Sequence, residues 1–381
     1  MRPLGSLLIG MSLWLTAAGV LGRPPEMPVE PVRVGALFSL TGTSQSYGEG
    51  NRQGLQMAVD EINAAGGIRG RPVEVLWGDD GSQPQQAAAV ASRWVRERQV
   101  VAIIGGTTSE VARPVATLCQ KASMVFIMPF ATHPDLTKGA THVFRVSFSD
   151  VNQARAAAAF ARQELKLAAV WVLRDVSSAY SSHLSEAFRQ EFESLGGRVE
   201  GVLTYDEATT DFTGILKPLK ARASGPVALY LPGHVADTVR IVRTLEHLGI
   251  SALLIGSDTW DAEDILKATG PAFRRGYYTT LYHPDLPGER NQAFVREYVK
   301  RFQKRPTPDA VAAYDAMHIL AAALRKASAW DVESLRQALR TLDYEGPAGR
   351  IRFGPSGDAE RDVVIVRIEN GTARLHRLFR K

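Results

Sequence analysis

The chain has 381 residues, 45% of them hydrophobic and 22% charged, with 45 basic against 40 acidic side chains for a formal net charge of +5. That length supports two buried cores, and so even a mixture of charges speaks against a nucleic-acid binder with its basic stripe or arm. The single cysteine, Cys119, excludes an intramolecular disulfide and any cysteine-rich zinc or iron–sulfur site.

At the start of the chain Arg2 precedes Leu4, Leu7, Leu8, Ile9, Met11, Leu13, Trp14 and Leu15, and small residues follow from Thr16 to Gly19. A basic n-region, an apolar h-region and a small-residue zone predict a signal peptide over 1–22 and a periplasmic or otherwise extracytoplasmic protein. The apolar run to Leu21 is near the length of a membrane-spanning helix, so a retained anchor is the alternative. The Pro-rich stretch 23–31 reads as a spacer.

Compact apolar runs bounded by turn residues then predict strands at 32–38, 73–77, 100–105 and 124–128. Their unbroken hydrophobicity fits parallel strands covered on both faces. The helices between them are marked by Leu55, Ala58, Val59 and Ile62 on one stripe, ended by Gly66-Gly67, and by 85–98 and 110–121. Cys119 falls in the last of these, as a small buried apolar residue. The alternation restarts with strands at 168–173, 199–203, 227–231 and 253–256 and helices at 153–165, 180–195, 212–222 and 235–248. A final portion adds strands at 277–281 and 363–368 and helices at 289–302, 309–327 and 332–342. The basic tail Arg374, Arg377, Arg380 and Lys381 reads as a solvated terminus. The fold class expected is α/β, two lobes each built on a parallel sheet.

Motifs of catalysis are missing from the sequence: it has no HExxH, no P-loop lysine motif and no G-x-S-x-G elbow, and its eight histidines are scattered. Gly48-Glu49-Gly50 with Gly54 imitates a dinucleotide fingerprint, but a loop from Ser39 to Tyr47 separates it from its strand, where the turn itself must meet a pyrophosphate. Asp79-Asp80 could suggest a metal, and adjacent acids at a strand end also serve as turn and capping residues.

Polar loops at strand ends remain. Gly105-Gly106-Thr107-Thr108-Ser109 follows a strand and opens a helix, which makes either a carboxylate site from free N–H groups and hydroxyls or a plain glycine turn with Ser109 as N-cap. Pro129-Phe130-Ala131-Thr132 offers a carbonyl and a hydroxyl. Asp258, in Gly256-Ser257-Asp258-Thr259-Trp260, is a cap or a counter-acid.

The residues Ser39-Leu40-Thr41-Gly42, Tyr47-Gly48, Gly54, the run Asp60 to Gly70 and Asp79-Asp80 strongly resemble the branched-chain amino-acid-binding proteins, of the type I periplasmic binding fold. The likeness runs from about Val32 to Gly371. It implies two Rossmann-like lobes joined by a hinge: 32–149 with 282–360, and 150–281 with 361–381. It implies a non-enzymatic substrate-binding protein of an ABC importer, without cofactor or metal, monomeric, whose partners are a small amino-acid or amide-like ligand and a membrane permease. By motif position Ser109 resembles the carboxylate-binding serine, Phe130 a backbone contributor and Thr132 a hydroxyl that meets both ends of the ligand. Tyr180 resembles a tyrosine that closes the cleft, Tyr47 an aromatic lining the side-chain pocket, and Asp258 stands where leucine binders carry a glutamate for the ammonium. Two features depart from the leucine binders: Gly233 replaces a second tyrosine, and Asp258 is one methylene shorter. The alternative function is a ligand-sensing domain of the same fold, for an amide, urea or amino acid.

Overall fold

In the computed structural model, which describes residues 30–222, 227–260, 262–273 and 275–380, the apolar runs become strands and the striped segments become helices. The expected signal peptide, most of the spacer and Lys381 lie outside the described residues.

The first lobe is built from β1 (Val32–Phe38), α1 (Gln45–Ala64), β2 (Val73–Asp79), α2 (Pro84–Arg96), β3 (Ala102–Gly105), α3 (Ser109–Lys121), β4 (Phe126–Met128) and β5 (Val143–Arg145). Its strands pair in parallel in the order β2-β1-β3-β4-β5. Strands β3, β4 and β5 are buried along their whole length, as an apolar strand covered on both faces must be.

The chain then enters the second lobe. This holds α4 (Asp150–Ala159), continued by a π-helical turn over Phe160–Glu164, β6 (Ala169–Asp175), α5 (Ala179–Ser194), β7 (Arg198–Tyr205), α6 (Thr213–Arg222), β8 (Val227–Leu231), α7 (Val235–His247), β9 (Ala252–Gly256), α8 (Ala262–Thr269) and β10 (Arg275–Thr280). It returns to the first lobe through α9 (Glu289–Phe302), α10 (Pro308–Lys326), α11 (Val332–Arg340) and a small antiparallel sheet of β11 (Asp343–Gly346), β12 (Gly349–Phe353) and β13 (Ala359–Glu360). A last crossing leads to β14 (Val363–Glu369) and β15 (Thr372–Phe379), which complete the second sheet in the order β15-β14-β10-β9-β8-β6-β7. There β14 and β15 run antiparallel and the others parallel.

Each sheet is covered on both faces. In the first lobe Leu55, Ala58 and Ile62 of α1 and Ala316, Leu320 and Leu324 of α10 pack on Val34, Ala36 and Ile104. Trp94, Val111, Val115 and the buried Cys119 cover the other face against Ile103 and Phe126. Burial among these apolar groups pushes the Cys119 thiol up to about 12, so it stays protonated. In the second lobe Leu184 and Phe188 pack on Val172 and Tyr230, while Leu216, Ile241, Trp260 and Phe273 pack on Leu229 and Leu254.

The structure decides several points that the sequence left open and corrects one, the basic tail. Helix α1 begins at Gln45, so Tyr47 is helical, and Gly48, Gly50 and Gly54 lie inside the helix rather than in a phosphate-facing turn. A Cβ on Gly54 would overlap the carbonyl oxygen of Ala310; this glycine lets α1 and α10 approach backbone to backbone. Asp79 and Asp80 tie turns: Asp79 Oδ1 accepts from the N–H groups of Leu40 (2.9 Å) and Gly81 (2.8 Å), and Asp80 Oδ1 from Ser39 Oγ (2.6 Å) and Ser82 N (2.8 Å). The basic tail is not a loose terminus. Arg374 and Arg377 lie on β15, an edge strand whose Leu375, Leu378 and Phe379 pack on the second core, and Arg377 pairs with Glu164.

Candidate functional site

The C-terminal ends of both sheets point to the boundary between the lobes, the place where open parallel sheets bind ligands. On the first lobe, β3 ends at Gly105 and the chain turns through Gly106 at φ +83° into α3. Thr108, not Ser109, is the N-cap of α3, and its side chain makes no capping hydrogen bond. The opening N–H groups of the helix therefore keep their positive end toward the cleft. Thr107 Oγ1 accepts from the N–H of Ser39 (3.0 Å), which fixes the turn to β1. Ser109 Oγ accepts from the N–H of His133 (3.2 Å), which fixes it to the loop after β4.

On the second lobe, Asp258 follows β9 and is 3% exposed. Tyr180 Oη and Gln153 Nε2 both donate to its Oδ1, each at 2.6 Å. The Asp258 N–H donates back to Gln153 Oε1 (3.2 Å), which also accepts from Thr279 Oγ1 (3.0 Å). Three elements, α4, α5 and β10, thus orient one carboxylate. Burial pushes its pKa up to about 7 against the hydrogen bond from Tyr180, which pulls the other way. Asp150, at the first position of α4, is buried as well and raised to about 8, chiefly by desolvation and further by the charge of Asp258. Burial and the neighbouring Asp258 hold the Tyr180 phenol well above its usual value, so it donates as a neutral hydroxyl.

One pocket gathers these groups. Tyr47, Ser109, Phe130, Thr132, Tyr180 and Asp258, six of the seven residues singled out from the sequence, line it. Gly233 does not. Its carbonyl accepts from Thr259 Oγ1 (2.8 Å), and a Cβ there would sit 2.8 Å from the Tyr205 hydroxyl. Its neighbour His234 lines the pocket instead, between the rings of Tyr47 and Tyr180, with centroids at 6.4 and 5.9 Å. Thr107, Thr108, Glu110 and Thr259 also line it. All but Glu110 stood within loop segments that the sequence had marked as polar, but nothing in their spacing distinguished them from turn residues.

Contacts across the boundary close the pocket. Tyr47 Oη donates to the carbonyl of Thr259 (2.9 Å), and Ser178 Oγ donates to Glu110 Oε1 (3.2 Å). The rings of His133 and His183 meet at 4.9 Å. The arrangement offers hydroxyls and helix N–H groups on one side, a carboxylate with its phenol on the other, and the aromatic rings of Tyr47, Phe130 and His234 between. Trp260, although next to Thr259, is buried in the second core and is not part of the lining.

Comparison with known proteins agrees with this architecture. A leucine-, isoleucine-, valine-, threonine- and alanine-binding protein of Pseudomonas aeruginosa is 26% identical over 87% of this chain and 88% of its own length. A Leu/Ile/Val-binding protein of Rhizobium johnstonii is 29% identical over 86% and 88%. Among solved structures, a leucine-binding protein of Thermotoga maritima matches with a TM-score of 0.85 at 28% identity, covering 92% of this chain and 99% of that one. A branched-chain amino acid transporter substrate-binding protein of Streptococcus pneumoniae, in complex with isoleucine, matches with a TM-score of 0.85 at 25% identity, covering 92% and 100%. Among the described residues no helix is long and apolar enough to cross a membrane. The family model described as periplasmic binding protein matches residues 31–373, and the chain belongs to that family, with the type I fold of two α/β lobes.

Proposed function

We propose that this protein is the exported substrate-binding component of an ABC importer, which closes its lobes on an amino acid of the branched-chain kind or a related small polar solute. The observation that carries the proposal is the meeting, in one pocket, of an anion-binding turn from one lobe with a buried carboxylate from the other. A zwitterion fits that polarity. Its carboxylate takes the N–H groups at the start of α3 and the hydroxyls of Ser109 and Thr132; its ammonium takes Asp258; its side chain lies against Tyr47, Phe130 and His234. Each lobe alone satisfies half of such a ligand, so the contacts differ between open and closed forms and favour closure. The names of the relatives, which bind leucine, isoleucine, valine, threonine or alanine, support the ligand class.

In this reading residues 1–22 direct export. The lobes are 32–149 with 282–360, and 150–281 with 361–381. A monomer presents the closed form to a membrane permease. Titration calorimetry of the mature protein with the standard amino acids, their amides, urea and aromatic acids tests the proposal. Micromolar binding of an α-amino acid, roughly −8 kcal/mol, is expected. Binding of an amine-free acid with no response to any amino acid would overturn it.

A further inference from the structure

Among the described residues three stretches of chain cross between the lobes: 146–149 between β5 and α4, 281–288 between β10 and α9, and 361–362 between β13 and β14. Arg361 lies in the third and is 5% exposed. Its Nη1 donates to the carbonyl of Val146 (3.0 Å), in the first crossing. Its Nη2 donates to the carbonyl of Leu281 (3.1 Å), in the second, and to that of Ala348 (3.1 Å), in the turn between β11 and β12. One planar cation therefore holds both other crossings while it is itself part of the third.

Burying a guanidinium against neutral carbonyls is an expensive way to fasten a loop. The buried Asp315 and the adjacent Asp362 support the charge by their fields. Lysine would match it poorly, because an ammonium must serve all three carbonyls from one nitrogen, whereas the guanidinium divides them between two nitrogens held in one plane. A chain that crosses three times can still rotate about a line through its crossings, splay, or slide. Fixing the spacing of the crossings leaves the rotation and removes the other two.

We propose that Arg361 is the pivot residue of the clamp: by joining the three crossings it restricts the lobes to one closing rotation, and so delivers Asp258 and Tyr180 opposite Ser109. It is a positioning residue, not among those that line the pocket, and its role rests on the closure argued under Proposed function. A wholly structural arginine would lower the melting temperature when replaced and leave the path of the lobes unchanged.

Interlobe distance distributions separate the two. Cysteines placed at Thr117 on α3 and Gln190 on α5, both exposed, accept spin labels, whereas the native Cys119 is buried and does not. Pulsed electron resonance is then recorded for the parent, Arg361→Lys and Arg361→Met, each alone and with an equimolar mixture of L-leucine, L-isoleucine, L-valine and L-alanine. The parent is expected to show one narrow distance that shortens with the mixture. Both variants are expected to show a ligand-free distribution at least twice as wide, a ligand-bound distribution like that of the parent, and about tenfold weaker apparent affinity, because fewer molecules are poised to close. Ligand-free widths equal to the parent's overturn the pivot, whatever happens to the melting temperature. Should Arg361→Met not fold, Arg361→Lys decides alone. A parent distance that ignores the mixture overturns the closure reading instead.

Discussion

Replacing Asp258 by asparagine removes one charge and almost no volume. Both donors to the carboxylate, Tyr180 Oη and Gln153 Nε2, meet Oδ1, and an asparagine carbonyl can accept both. The local geometry should therefore survive while the electrostatics change. For a ligand with an ammonium group, the variant leaves a buried cation without its counter-charge, a loss of about 3–5 kcal/mol, or roughly two to three and a half orders of magnitude in affinity. The stability of the free protein should move the opposite way. In the folded state Asp258 titrates near 7 against an ordinary 3.8, so between about pH 4 and 7 the folded protein holds a proton that the unfolded chain has released. Stability from this group is thus lost as pH rises through that window. Asparagine has no such proton to lose, so Asp258→Asn should melt a few degrees above the parent at pH 8 and level with it at pH 4. Calorimetric titration and thermal melts of ligand-free protein at both pH values measure the two effects. Affinity within threefold of the parent for an amine ligand, or a lower melting temperature at pH 8, would show that Asp258 is not the buried counter-acid described.

The same carboxylate sets a pH dependence of binding. An amino-acid ammonium stays charged from pH 8 to 5, so affinity should be level above 7 and fall by nearly tenfold per unit below it, as Asp258 takes up a proton; titrations at half-unit steps should lose this slope in Asp258→Asn. Tyr47→Phe removes the hydrogen bond to the Thr259 carbonyl across the boundary and keeps the ring that lines the pocket. Affinity should fall about three- to tenfold, the scale of one neutral hydrogen bond, and stopped-flow kinetics should place the change in dissociation rather than association.

The sequence showed most of the fold because central parallel strands are covered on both faces and so read as plain apolar runs. Strands β1 and β8 match their expected limits residue for residue, 32–38 and 227–231. The edge strand β15 was hidden for the complementary reason, whereas the edge strands β2 and β7 were legible. In β15 Leu375 and Leu378 turn to the core while Arg374 and Arg377 are exposed, and such alternation beside the end of a chain reads as a charged tail. The strand β5 is three residues long, too short for any periodicity. At the site, the turn 105–109 and the segment 256–260 were visible as polar loops at strand ends. What could not be seen was the distance of 105 residues in sequence between Gln153 and Asp258, which turns a common capping acid into an oriented and buried one. His234 was passed over because only its neighbour, Gly233, broke the pattern of the leucine binders.

The buried carboxylate also bears on why a clamp of the proposed kind should wait for its ligand. The contacts across the boundary, Ser178 to Glu110 and Tyr47 to Thr259, are single hydrogen bonds, each of about 1 kcal/mol. Taken alone they would favour the closed form with or without a guest. In the proposed closure, however, an empty pocket offers the Asp258 carboxylate no cation, and burial already pushes its pKa up to about 7. This cost and the boundary contacts act in opposite directions on the proposed closure. An ammonium group cancels the unfavourable term and leaves the favourable one. The same reasoning makes the shorter aspartate significant: Tyr180 and Gln153 hold its Oδ1 in place, so an ammonium has to come to the carboxylate rather than the reverse. Recognition and closure then depend on one group, which is why neutralising Asp258 should stabilise the free protein and disable it together.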